Sequence, residues 1–568
     1  MDADVAHSHR LKLLAEDYWQ TRLEEDPLLA TLLGDKRFDG RLPDITPRGR
    51  ERRERTYGSV VESCHSISPR RLSEEDGLTR TALIEDAGSL VEYSLCRLEE
   101  WSVDPLSGPQ VELANVESYQ ASGSPSEGRA MVERWASMGP YLDDHIANLR
   151  RGAVGGRVAV RECVGKVIDE LNGMVGLPES QAAFLRPLRE AHEDWSEAER
   201  LEFTRGLTAA YRSSIKPALE RYLTFLQEEI LPRARPQERP GVAHIPGGYE
   251  DYRRLIRVHT SLDLTPEELH RTGLSEVSRI NGEMAALGER LFGVKERKEV
   301  LRRLRSDPSL HFGTGDEVAE KAESALKRAK AAIPFWFGRL PKADCEVVRM
   351  EAHEEKHSTI AYYRPSAPDG SRPGRYYVNT SLPQTRPRYE AECLAFHESI
   401  PGHHLQIAIA QELEGLPEFR KNSGVTAFIE GWGLYTERLA DEMGLYSSDL
   451  DRMGMLSMDA WRACRLVVDT GMHAFKWTRE EAITFMLENS ALAENNIVNE
   501  VDRYITWPAQ ALAYKTGQLE ILGLRRMAKE KLGGSFDIKR FHDVLLGNGA
   551  IPLMALRQAV ARYASAGT

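Results

Sequence analysis

The chain has 568 residues, 41% of them hydrophobic and 29% charged, which suits an extensive buried core with more than one lobe and excludes a disordered chain. Its net charge of −12 argues against general nucleic-acid binding. The six cysteines, Cys64, Cys96, Cys163, Cys345, Cys393 and Cys464, are scattered without C-x-x-C spacing, so neither a disulfide framework nor a cysteine-bound metal is indicated.

From the first residue onward the expected setting is the cytoplasm. Residues 1–10 carry no basic-then-apolar signal, and no run of about 18 apolar residues follows that would span a membrane. The one dense basic run, Arg48, Arg50, Arg52, Arg53 and Arg55, is interleaved with Glu51 and Glu54 and reads as the solvated face of a helix. Ser73-Glu74-Glu75-Asp76, Thr265-Pro266-Glu267-Glu268 and Thr478-Arg479-Glu480-Glu481 are helix starts of the capping-box type. Residues 231–248, with Pro232, Pro236, Pro240 and Pro246, break the helical pattern as a cleft-lining loop or a crossover between lobes. The expected fold is mostly α, with N-terminal helical lobes over 1–345 and a second half, 346–568, that carries every catalytic motif.

The second half opens with strand character. Val348-Arg349-Met350-Glu351-Ala352 alternates apolar and polar residues, and Thr359-Ile360-Ala361-Tyr362-Tyr363-Arg364-Pro365 is rich in β-formers. Between them lies a literal H-E-x-x-H, His353-Glu354-Glu355-Lys356-His357. A zinc-hydrolase helix needs two imidazoles one turn apart on a largely buried face. A strand and charged turn supplies neither, so this copy is set aside as solvated. Ile360 to Arg364 and Gly374 to Asn379 form an expected β-hairpin, whose Tyr363 and Tyr377 are candidate contacts for an extended peptide.

The stronger candidate is His397-Glu398-Ser399-Ile400-Pro401-Gly402-His403-His404, flanked by apolar helical sequence on both sides. In an ideal helix His404 lies about 10 Å along the axis from His397, too far to share one ion. Pro401 has no N–H for the carbonyl of His397, and Gly402 tolerates unusual backbone, so a bulge there brings His403 to the second ligand position. His397 and His403 are therefore the expected metal ligands, with Glu398 as the base beside them. Glu430 is the expected third ligand, on the helix that runs from Asn422 to Glu437. It shares a face with Glu437, and Gly433 between them permits close approach.

Further along, Asp469 and His473 are spaced for a carboxylate that orients an imidazole. Arg503 and Tyr504 are candidates for holding a substrate carboxylate. Structural ion pairing accounts for both sets as well.

At these motifs the chain resembles an uncharacterised bacterial family marked by an H-E-x-x-P-G-H-H helix, an E-G-W-G helix and a late P-x-Q-A-x-x-Y-K motif. They appear here as His397 to His404, Glu430 to Gly433, and Pro508 to Lys515, with an N-terminal Asp26-Pro27-Leu28-Leu29-Ala30-Thr31 as a further likeness. The family is similar in turn to helical zinc peptidases of the gluzincin type, such as oligopeptidases, angiotensin-converting enzyme and thermostable carboxypeptidases. That resemblance implies a two-lobed helical fold with a central cleft, a zinc ion, and hydrolysis of short peptides. In such a mechanism Glu398 takes a proton from water and delivers it to the leaving amine. The resemblance also implies a late donor to the tetrahedral oxyanion, for which Tyr514 is the first choice and His473 the second. A metal-dependent hydrolase or other enzyme acting on an amide-containing metabolite of a dedicated biosynthetic pathway, and a non-catalytic helical binding protein, are the other two expectations.

Overall fold

Helix starts close where the sequence places them. Thr265 and Thr478 each form a full capping box with the glutamate three residues on, and Ser73 accepts a hydrogen bond from the Asp76 amide. The computed structural model describes residues 3–351, 355, 359–367, 370, 372–422 and 424–566. His353, Glu354, Lys356 and His357 of the literal H-E-x-x-H lie outside these residues.

Most of the chain is helical. The elements that position the site are helices α1 (Pro125–Val154) and α2 (Pro266–Phe292), strands β1 (Cys345–Arg349), β2 (Ala361–Arg364) and β3 (Gly374–Val378), then helices α3 (Ala391–Glu398), α4 (His403–Gln411), α5 (Thr426–Glu442), α6 (Asp449–His473), α7 (Glu494–Thr506) and α8 (Leu512–Leu532). Among the described residues no helix is long and apolar enough to cross a membrane.

The apolar core does not part at residue 345. Leu11, Tyr18 and Leu83 near the N-terminus share one core with Phe428, Trp432 and Tyr435 of α5 and with Phe541 and Leu556 near the C-terminus. A second core joins Val277, Ile280 and Met284 of α2 to Ala460, Ala463 and Val467 of α6. The stretch around α1 has a core of its own, where Trp135, Leu142 and Leu149 pack on Val164, Phe203 and Tyr222. The boundary expected from the position of the motifs is thus crossed by packing: Tyr18 meets the Phe419 ring edge-on, and Arg420 donates to Glu75 and Thr79.

The expected hairpin forms, and β1 joins it. β3 lies in the middle, parallel to β1 and antiparallel to β2. Tyr363 pairs with Tyr376 and Tyr362 with Tyr377. Side chains alternate across a strand, so Tyr363 and Tyr377 project from opposite faces. The two expected peptide contacts therefore stand on different faces of the sheet. Tyr377 stacks on Tyr362 with ring centroids 4.8 Å apart, whereas Tyr363 turns toward α4.

The Pro-rich segment 231–248 is held firmly. Arg235 donates to the carbonyls of Val158, Arg239, Pro240 and Gly241. A Cβ on Gly241 would lie 1.8 Å from the Met472 carbonyl oxygen, so only glycine lets the loop dock on the end of α6.

Candidate metal centre

The expected bulge is in fact a full break. α3 ends at Glu398 and α4 begins at His403, with a cis Ile400–Pro401 peptide between them. Pro401 cannot continue the helix. A Cβ on Gly402 would stand 1.9 Å from the His397 carbonyl oxygen, so the return of the chain requires glycine there. The His404 amide donates to Ser399 O at 3.1 Å and the Gln406 amide to Gly402 O at 3.2 Å, which starts the second helix. The Trp432 indole N–H braces the break by donating to Pro401 O and Gly402 O at 3.0 and 3.2 Å.

This break brings the His403 ring against that of His397, with centroids 4.6 Å apart and planes nearly perpendicular at 85°. His404 points away. Its Nε2–H donates to Ala343 O at 3.2 Å, and its Nδ1 accepts from the Tyr363 hydroxyl at 2.9 Å. Burial lowers its pKa to about 4, so the ring is neutral and serves as a latch between α4 and the sheet.

Glu430 completes the group. His397 Nε2 and His403 Nε2 lie 3.6 and 3.7 Å from Glu430 Oε2, and the ligand atoms of all three residues fall within 4.8 Å of one another. These separations are too long for hydrogen bonds. They are near the spacing of roughly 3.3–3.5 Å expected between donors around one tetrahedral ion with bonds of about 2.0–2.1 Å. His397 Nδ1–H donates to Glu437 Oε1 at 2.8 Å, so in the neutral ring the lone pair falls on Nε2, the nitrogen nearer Glu430. A carboxylate behind a ligand imidazole fixes its tautomer and orientation.

The E-G-W-G sequence has a physical reading residue by residue. A Cβ on Gly433 would stand 2.6 Å from His397 Cε1, so the imidazole lies directly on the backbone of α5. A Cβ on Gly431 would come 2.5 Å from Gly517 Cα, and one on Gly517 would come 1.8 Å from the Ala427 carbonyl oxygen. α5 and α8 therefore touch backbone to backbone. Tyr514, one turn before Gly517, is thereby brought within range of the Glu430 charge.

Charges reinforce one another here. Burial alone would lower the His397 imidazole, yet Glu430 and Glu437 push it up to about 9. Burial opposes ionisation of Glu430, but the two imidazoles hold it well below the usual carboxylate range. Burial raises Glu398 against the pull of His403 and His397. Burial and the Glu430 charge raise the Tyr514 hydroxyl, opposed by Arg465 and Arg503.

The remaining candidates fall around this centre. Asp469 does not orient His473. Its carboxylate accepts from the Tyr252 hydroxyl at 2.6 Å and from the Ala509 amide at 3.2 Å, and so holds the turn before Tyr514, where Ala509 has a left-handed φ of 71°. His473 is fully engaged by backbone, with Nδ1 accepting from the Val242 amide at 3.1 Å and Nε2–H donating to Tyr504 O at 2.9 Å. That leaves no N–H for an oxyanion. The Tyr504 hydroxyl donates to Glu500 Oε2 at 2.7 Å and accepts from Arg465 Nε and Trp461 Nε1, so it is committed as well. Arg503 reaches Glu500 and Gln510. Sequence reasoning named Glu437 only as a face-mate of Glu430 and passed over Arg465, whose guanidinium lies 4.4 Å over the Tyr514 ring.

The family model described as bacterial protein of unknown function (DUF885) matches residues 27–560. No curated protein matches the chain. Among solved structures, the "putative lipoprotein" from Colwellia psychrerythraea is similar with a TM-score of 0.91 and 26% identity, over 99% of each chain. A "putative lipoprotein of unknown function" from Shewanella oneidensis is similar in fold, with a TM-score of 0.75 and 18% identity over 96% of this chain and 99% of its own.

Proposed function

Since the chain belongs to this family of bacterial proteins of unknown function, its role has to be argued from the site, and we propose that it is a zinc-dependent hydrolase of peptide bonds in short peptides. The observation that carries this reading is the convergence of His397, His403 and Glu430, with Glu398 next to His397 in sequence and within range of both imidazoles and of Glu430. Two imidazoles and one carboxylate oxygen form a donor set that suits zinc and leaves a fourth position for reactants. Glu390, Glu398, Glu430 and Glu437 crowd together with Arg462 as their guanidinium neighbour, an excess of negative charge that a divalent cation offsets. The likeness of the motifs to those of helical zinc peptidases supports the same reading.

A bound zinc ion would supply Lewis acidity toward a carbonyl and a water in its reach. Glu398 takes the proton from that water, for which a carboxylate with a raised pKa is suited, and passes it to the leaving amine. Tyr514 donates to the oxygen on which charge develops. Glu437 acts through His397 by holding its ring. The substrates proposed are short peptides, which a cleft between helical lobes would admit while excluding folded proteins. The proposed setting is the cytoplasm, supported by six free cysteines, all buried. The lipoprotein names of the two structural neighbours are the alternative, and cell fractionation separates the two.

The test pairs metal analysis with hydrolysis of a short-peptide library. Wild type is expected to hold one zinc per chain. Glu398→Gln should keep the zinc and lose roughly 10²–10⁴-fold in rate. A protein that binds no zinc after reconstitution sinks the proposal. Bound zinc with cleavage of amide-bearing metabolites and of no peptide moves the reaction to those compounds.

A further inference from the structure

Beside Tyr514 the protein buries more positive charge than its neighbours balance. Arg465 Nη2 and Arg503 Nη2 donate to one and the same oxygen, Glu500 Oε2, at 3.0 and 2.9 Å. The Tyr504 hydroxyl donates to that oxygen too, at 2.7 Å. Among the described residues Glu500 is the one carboxylate paired with either guanidinium. Two permanently charged groups thus share a single anion.

Their hydrogen bonds are incomplete as well. Arg465 Nη1 and Arg503 Nε are buried without a partner. Arg465, only 3% exposed, is enclosed by the rings of Trp461, Tyr504 and Tyr514, with its guanidinium carbon 4.3, 5.7 and 4.4 Å from their centroids. Aromatic faces attract a cation but accept no in-plane N–H, so the enclosure leaves the net charge in place. A buried, unbalanced cation is costly to a fold. Arg503 lies at the open edge of the pair, with 14% of its side chain exposed, next to the half-buried Gln510 and Tyr514. Two of its five N–H groups serve Gln510 and Glu500.

We infer that this end of the site takes a carboxylate of the substrate, with Arg503 in contact and Arg465 as the charge behind it, so that peptides are held by their free C-terminus. This rests on the zinc-peptidase reading of the centre and adds the substrate class to it. Tyr514, the proposed donor to the oxyanion, lies against Arg465, so the carboxylate bound there belongs to the residue at or near the leaving side of the scissile bond. Trimming from the C-terminal end follows.

The test is calorimetric titration of zinc-loaded Glu398→Gln protein, in which the peptide stays intact, with trialanine and with trialanine amide. The free acid is expected to bind about tenfold to a hundredfold more tightly. Arg503→Gln should bring the acid down to the affinity of the amide, and Arg503→Lys should keep part of the preference. Equal affinities for acid and amide while Arg503 is intact overturn the inference, as does binding of neither peptide or an undiminished preference in Arg503→Gln. Zinc content of the same samples reports on the centre separately. A protein that holds zinc without an acid preference keeps the centre and loses the carboxylate subsite. One that prefers the acid without holding zinc does the reverse.

Discussion

His403 and His404 are neighbours in sequence with opposite duties, and the difference is measurable. His397→Ala and His403→Ala should each abolish stoichiometric zinc in metal analysis. His404→Ala should retain zinc but cost about 1–3 kcal/mol in denaturant unfolding, because it strands the Tyr363 hydroxyl and the Ala343 carbonyl. Glu437→Gln should weaken zinc binding by roughly 10–100-fold in chelator competition, since the imidazole of His397 loses its charged anchor. The choice of His403 was legible in the sequence, because Pro401 and Gly402 announce a departure from helical spacing. The Glu437–His397 pair was not. It spans 40 residues and exists through the packing of two helices, which no local spacing reveals. The same reason hid the partners of Asp469, where Tyr252 and the Ala509 amide displace the nearby His473.

At the scale of elements, α5 works through what its side chains omit. Gly433→Ala should crowd the His397 ring and weaken zinc binding while leaving the helix content unchanged by circular dichroism. Gly517→Ala should push α8 off α5, with an overpacking cost of about 1–3 kcal/mol in unfolding. It should also lower the hydrolysis rate with zinc retained, because Tyr514 then moves from Glu430. The hairpin was readable from alternation and from the prolines between its strands. Which tyrosine faces the helices was not, since that depends on register, and register is fixed here by Gly374 lying against His404 and the Tyr363 hydroxyl.

Across the whole molecule, helical composition and caps were legible, but the docking of the first helices on Phe419 and Arg420 was not, because apolar faces do not name their partners. One buried group gives this closed core a pH signature. Burial, against hydrogen bonds from Tyr252 and the Ala509 amide, raises Asp469 to about 7. In the unfolded chain an aspartate titrates near 3.9. Between these values the folded state binds the extra proton, so the contribution of Asp469 to stability falls as pH rises from about 4 to 7, by at most about 1.4 kcal/mol per pH unit, and then levels off. Urea unfolding of wild type against Asp469→Asn isolates this slope, and the variant should be flatter over that range. The candidate donors His397, His403 and Glu430, finally, sit on three separate helices, α3, α4 and α5, and come together only in the folded chain. Under the proposed function, free zinc and folding are thermodynamically linked. At a hundredfold excess over its dissociation constant, zinc should stabilise the fold by about 2.7 kcal/mol. The melting temperature then becomes a gauge of zinc activity that reports affinity before any substrate is known.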